Sequence, residues 1–158
     1  MSDQPNYLKG VLLSLLAVPV AMVLWVIIWR MGYVASLVAF ALAWLVLWLY
    51  EKGTGVKPDK RSAPYLVAII VLGVVLSFTA GVVSDGHDFY TSSDGGSLSS
   101  MDAIGSAIGQ LGNGELWATY TNDALMALLF GALGAGWVIY ALFKGEKSDV
   151  VRKETKSD

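Results

Sequence analysis

Apolar positions along this chain do not alternate with polar ones. They fall into four long runs, residues 11–29, 33–50, 65–83 and 124–143, none of which contains Lys, Arg, Glu or His. The one acidic neighbour is Asp123, at the border of the last run. Each run is 18 to 20 residues long, close to the ~20 helical residues needed to cross ~30 Å of hydrocarbon. Strands of a membrane barrel alternate apolar and polar residues; these runs do not. The pattern predicts an all-α polytopic membrane protein, with four transmembrane helices in two antiparallel hairpins.

The predicted spans cover about 8–29, 33–50, 65–83 and 122–143, between a short N-terminal segment (1–7) and a tail (144–158). Only Arg30, Met31 and Gly32 separate the first two. A single helix over 11–50 would reach ~60 Å at ~1.5 Å per residue, twice the hydrocarbon thickness. A tight hairpin is required, with Gly32 left-handed at the helix end and Arg30 reaching the headgroups. Pro19 is expected to bend the first helix. That run is also longer than the ~7–15-residue core of a signal peptide, and no A-x-A site follows it, so the helix is expected to be retained. The connection 51–64, EKGTGVKPDKRSAP, is polar and broken by Gly53, Gly55 and Pro58. Ser62 is placed to cap the third helix, and Pro64 suits its first turn.

Residues 84–121 divide in two. SDGHDFYTSSDGGSLSS has the composition of an irregular acidic loop. Beyond it, Ser99 or Ser100 is placed to cap a short amphipathic helix over about 100–111, with Ile104, Ile108 and Leu111 on one face. Gly105, Gly109 and Gly112 weaken such a helix by up to ~1 kcal/mol each, so it needs the membrane surface or the bundle for support. Trp117 and Tyr120 would then sit at the interface, just before the last helix.

Charge adds orientation. Lys9, Lys52, Lys57, Lys60, Arg61, Lys144, Lys147, Arg152, Lys153 and Lys156 lie on one side of the predicted spans; Arg30 alone lies on the other. The positive-inside rule places both termini in the cytoplasm of a multi-pass plasma-membrane protein. The opposite segment carries Asp85, Asp88, Asp94, Asp102, Glu115 and Asp123 without a single Lys or Arg.

Composition then narrows the function. The absence of cysteine excludes disulfides, iron–sulfur clusters, thiolate metal sites and a lipoprotein anchor. No ionisable group lies inside the first three spans, whereas proton relays, voltage sensors and ion-coupled carriers need one. No histidine lies in a span, so axial histidine ligation of haem is excluded. No cofactor is expected, and neither is nucleic acid: the basic tail is interleaved with Glu146, Asp149, Glu154 and Asp158, a solvated mixture that suits contact with anionic lipid.

Two patterns carry candidate interactions. Small residues recur every four positions: Ala17 and Ala21; Ala35, Ala39 and Ala43; Gly73, Ser77 and Gly81; Ala127, Gly131 and Ala135. Close backbone approach across such residues drives helix association in lipid; the ridges either close the bundle or turn one helix toward another subunit. Tryptophans pair at i, i+4, Trp25 with Trp29 and Trp44 with Trp48, as packing or as an aromatic surface for a lipid, quinone or partner helix. In the outer segment, Asp85, His87 and Asp88, with Asp94 six residues further on, offer weak calcium or zinc ligands. The spacing is not that of a calcium loop, and a solvated acidic turn accounts for it equally. A catalytic use of His87 with Ser92 or Ser93 has nothing to fix its geometry.

Gly32-Tyr33-Val34-Ala35-Ser36, Tyr50-Glu51-Lys52-Gly53-Thr54-Gly55 and Glu115-Leu116-Trp117 give the chain a likeness in arrangement: it resembles small four-helix membrane proteins of Gram-positive bacteria. The resemblance implies a bacterial plasma membrane and brings no activity and no site residue. The expected role is a non-enzymatic accessory or scaffold subunit beside a larger membrane complex. The alternatives are a homo-oligomeric channel or carrier lined by Ser14, Ser36, Ser77 and Thr79, and an outer loop that senses divalent cations.

Overall fold

A computed structural model describes residues 6–31, 37–92 and 97–154. Its elements are α1 (Tyr7–Leu15), α2 (Ala17–Arg30), α3 (Leu37–Thr54), α4 (Ala63–Thr91), α5 (Ser100–Gly109), a 3-10 turn (Gln110–Gly112), α6 (Gly114–Thr119) and α7 (Thr121–Glu154). Among the described residues there is no strand. Three helical stretches are long and apolar enough to cross a membrane: Tyr7–Arg30, Leu37–Thr54 and Ala63–Thr91.

The first of these is interrupted at Leu16, and Pro19 is the reason. Proline has no N–H to donate to the carbonyl four residues back, that of Leu15, and its ring crowds that carbonyl. The chain takes one tighter step, with Leu16 N–H bonding the Leu13 carbonyl at 3.1 Å. At the other end α2 stops at Arg30 and Met31; the expected left-handed Gly32, with Ala35 and Ser36, lies outside the described residues. The left-handed glycine that is seen is Gly55 (φ 73°), which ends α3 and donates to the Glu51 carbonyl at 2.8 Å.

Helices α3 and α4 form the middle of the bundle, and each packs against both the α1–α2 helix and α7. The small residues lie at these seams. Ala39 and Ala43 of α3 are buried, and a Cβ on Gly134 of α7 would come within 2.8 Å of Ala43 Cβ. A Cβ on Gly73 would meet Leu42 at 2.6 Å, one on Gly81 would meet Trp29 at 3.1 Å, and one on Gly131 would meet Val74 at 3.3 Å. Ala17, Ala21, Ser77 and Ala127 are buried as well, while Ala135 is half-buried. The ridges thus face the chain's own helices. The closest approach of backbone to backbone is one the four-residue periodicity misses: a Cβ on Gly53 of α3 would sit 2.7 Å from Gly10 Cα of α1. Ser14, one turn along, lies with its hydroxyl 2.8 Å from the Gly10 carbonyl and 3.2 Å from that of Val46, which ties the same two helices.

Large apolar side chains cover much of the outside, among them Leu12, Val23, Val71, Leu128 and Leu133. In water such a coat would be unstable; against hydrocarbon it is the expected solvent-facing layer.

The segment after residue 83 departs from expectation. Instead of an irregular loop, α4 continues two turns further, to Thr91, and ends where Ser92 turns extended. Serine, aspartate and glycine favour turns because their side chains compete for the backbone or leave it unconstrained. Here tertiary bonds override that preference: Asp85 and Asp88 are both engaged across helices, and Gly86 lets α5 lie against α4, with a would-be Cβ 2.7 Å from Ala107 Cβ. The α5 helix forms where expected and Ser99 caps it, its hydroxyl accepting from the Asp102 amide and donating to the Asp102 carboxylate at 2.6 Å. Of the two supports open to it, the bundle is the one used, and small residues make the contact. Ala103 and Ala107 face the bundle, while Ile104 and Ile108 point outward. At the α3–α4 connection Pro64 takes the first turn as expected, but Ser62 Oγ does not cap α4. It accepts from the Asp59 amide and donates to the Asp59 carbonyl.

Candidate functional site

The acidic end of the bundle holds the densest set of directional contacts. Asp85, on the extended last turns of α4, accepts from Trp29 Nε1 of α2 at 2.9 Å on one oxygen and from the Tyr120 hydroxyl at 3.0 Å on the other. One carboxylate therefore joins α2, α4 and the junction before α7. Burial, then the negative charges of Asp85 and Asp123, push the Tyr120 hydroxyl up to about 12, which keeps it a donor at any physiological pH.

Aromatic rings fill the space beneath. Phe78 of α4 stands edge-on to Trp25 (6.3 Å) and Trp29 (5.9 Å) and stacks on Trp117 (6.3 Å). Trp29 and Tyr120 lie 6.0 Å apart. Trp117 Nε1 donates to the Leu111 carbonyl at 2.8 Å, anchoring α6 to the turn after α5. Such pairs add about 0.5–1.5 kcal/mol each beyond burial. Trp25 is a core residue, whereas Trp44 and Trp48 are exposed and stacked 6.4 Å apart, with the Lys52 ammonium 5.6 Å from the Trp48 ring.

The three described members of the candidate metal set share two turns of α4, but their polar atoms are engaged elsewhere. Asp88 pairs with Arg30, and His87 Nδ1 lies 3.1 Å from the same Asp88 oxygen. A divalent cation would have to displace Arg30 from Asp88 and compete with Trp29 and Tyr120 for Asp85. Asp94 lies outside the described residues. Among the described residues, no three His, Asp or Glu side chains are grouped to hold a metal ion. The hydroxyls of the candidate pore are likewise occupied or internal: Ser14 serves the α1–α3 seam, Thr79 donates to the Val75 carbonyl of its own helix, and Ser77 is buried. Ser36 lies outside the described residues.

A cleft of about 430 Å³ opens beside Asp85, walled by Val82, Gly86, Phe89, Ala107, Asn113 and Tyr120. Above it α5 carries an outward apolar stripe: Met101 is 81% exposed and Ile108 53%, with Ile104 between them. Sequence reasoning missed the clamp on Asp85, because Trp29 and Tyr120 read as interfacial aromatics and Asp85 as a loop residue. The available signal was topological: all three fall at the same end of the predicted spans.

Comparison of the chain with protein-family models, curated proteins and solved structures returned no match.

Proposed function

We propose that the chain is a non-enzymatic accessory or scaffold subunit of a larger membrane complex, docked through its acidic end. One observation carries the reading: the outward stripe Met101, Ile104 and Ile108, on a helix held rigidly over the bundle by Ala103 and Ala107. The small-residue ridges are used within the chain, which leaves this platform as a distinct uncovered surface outside the spans. Exposed apolar patches rimmed by polar groups mark interaction sites, and the rim here is acidic, with Asp102 and Glu115.

The topology belongs to the same proposal. Helix α7, at 34 residues, is long enough for a fourth span over the uncharged run 124–143, and Lys9 and Lys52, the chain neighbours of Gly10 and Gly53, lie at the end where α1 and α3 touch. Four crossings with both termini in the cytoplasm of a bacterial plasma membrane place α5 and α6 outside.

Purification in a gentle detergent, followed by quantitative mass spectrometry, tests it. A stoichiometric membrane-protein partner is expected with the native chain and lost from the I104Q/I108Q variant, whose melting temperature stays unchanged because both side chains are exposed. A lone monomer showing ligand-dependent transport after reconstitution would refute the proposal.

A further inference from the structure

The opposite, basic end of the bundle contains a second cleft, of about 410 Å³, where α1, α3 and the start of α4 meet. Its wall is apolar and aromatic, made by Tyr7, Leu8, Val11, Tyr50 and Tyr65, with the single charge of Arg61 at its rim. Tyr50 is fully buried, and its hydroxyl makes no hydrogen bond. The neighbouring Ser62 hydroxyl accepts from the Asp59 amide and donates to the Asp59 carbonyl. A buried tyrosine hydroxyl without an acceptor is unusual and costly. The cleft therefore combines an oily wall with Arg61 at its rim and, buried behind that wall, the Tyr50 hydroxyl. It lies at the level where Tyr7, Tyr50 and Tyr65 mark helix ends, the depth of a membrane interface.

We propose that this cleft binds one anionic glycerophospholipid, with its phosphate at Arg61, its ester region at the Tyr50 hydroxyl and the start of an acyl chain along Leu8, Val11 and Tyr65. The chemistry matches group by group. Phosphate and ester oxygens only accept hydrogen bonds, and the polar groups offered by Tyr50 and Arg61 are donors. A free phosphate would leave the apolar wall uncovered, and a zwitterionic lipid would leave Arg61 less well neutralised. Lys9, Lys52 and Lys57 stand at the same end with Glu51 and Asp59, and the cations outnumber the carboxylates there.

The test uses the full chain in mild detergent, read by native mass spectrometry and by melting temperature. Three probes are compared: phosphatidylglycerol, phosphatidylcholine and inorganic phosphate. Phosphatidylglycerol should be retained at one per chain, about fivefold over phosphatidylcholine, the ratio equivalent to ~1 kcal/mol for one basic residue at a membrane surface. It should also raise the melting temperature, whereas phosphate alone should not. Arg61→Gln, in an exposed turn, should remove the preference, and Arg61→Lys should restore part of it. Tyr50→Phe should lower retention of phosphatidylglycerol while leaving the lipid-free melting temperature unchanged, since no hydrogen bond of the empty protein is lost. Equal retention of the two lipids, a preference that survives Arg61→Gln, retention unaffected by Tyr50→Phe, or equal stabilisation by phosphate would each overturn the assignment.

Discussion

The two ends of this bundle are closed by different physics. At the basic end, α1 and α3 are held by proximity: Gly10 lies against Gly53, backbone on backbone, with Ser14 bridging one turn away. At the acidic end, α2, α4 and the α6–α7 junction are held apart by large rings and joined by directed bonds to Asp85. The first arrangement depends on the absence of atoms and the second on the placement of charge. A steric seam tolerates almost no addition, because neither backbone can give way. A polar clamp tolerates bulk nearby but not the loss of its acceptor.

The sharpest way to break the comparison is to add a side chain to the seam. Gly53→Leu should destabilise by about 3 kcal/mol or more, at or beyond the upper end of ordinary overpacking, because its Cβ would face Gly10 Cα at 2.7 Å. Thermal melting in detergent checks this; a loss under about 1 kcal/mol would mean that the helices slide apart freely. Asp85→Ala is the matching blow to the other end. It leaves the Trp29 and Tyr120 donors without their acceptor, at a cost of about 2 kcal/mol, with Asp85→Asn intermediate because one carbonyl oxygen remains. Quenching of Trp29 fluorescence should change in step with stability at this end and stay unaffected by Gly53→Leu.

The smallest effect is pH-dependent and confined to the α3–α4 turn. Burial pushes the Asp59 carboxyl up, but bonds from the Ser62 and Arg61 amides, with the Arg61 charge beside them, outweigh it and hold the carboxyl below the usual range. A depressed carboxylate stabilises the turn fully above its unfolded value of about 4. That contribution is lost as pH falls through the lower folded value. Protection of the Arg61 and Ser62 amides, measured against their intrinsic exchange rate at each pH, should therefore fall on acidification, and Asp59→Asn should abolish that dependence while leaving the acidic end unaffected.

Much of this architecture was legible because its cause is local. Uninterrupted apolar runs produce the long helices, Pro19 breaks the first of them, and Ser99 starts α5 by capping. The features that could not be read depend on residues distant in sequence. The helical turns from Ser84 to Thr91 contain weak helix formers, and only Arg30, Trp29, Tyr120 and Ala107 explain why they stay wound. The face that α5 turns to the bundle has a similar origin. A stripe of Ile104, Ile108 and Leu111 suits the membrane surface as well as the bundle, and nothing within α5 decides between them. Against Gly86, close approach favours alanine, and the isoleucines are left outside. The Gly10–Gly53 contact joins two positions 43 residues apart, and no periodicity within either helix reveals it.

The Asp85 clamp also has a consequence in time. Trp29 and Tyr120 lie 56 and 35 residues away from the carboxylate that joins them, one before it and one after. As the chain emerges from a ribosome, the first partner is already present when Asp85 appears, but the second is still to be made. The carboxylate therefore holds one unpaired oxygen until residue 120 arrives, and the acidic end can lock only once α6 and Tyr120 have been made. A product truncated before Tyr120 therefore carries an unfinished clamp, whereas one that ends at the start of α7 already holds all three of its residues.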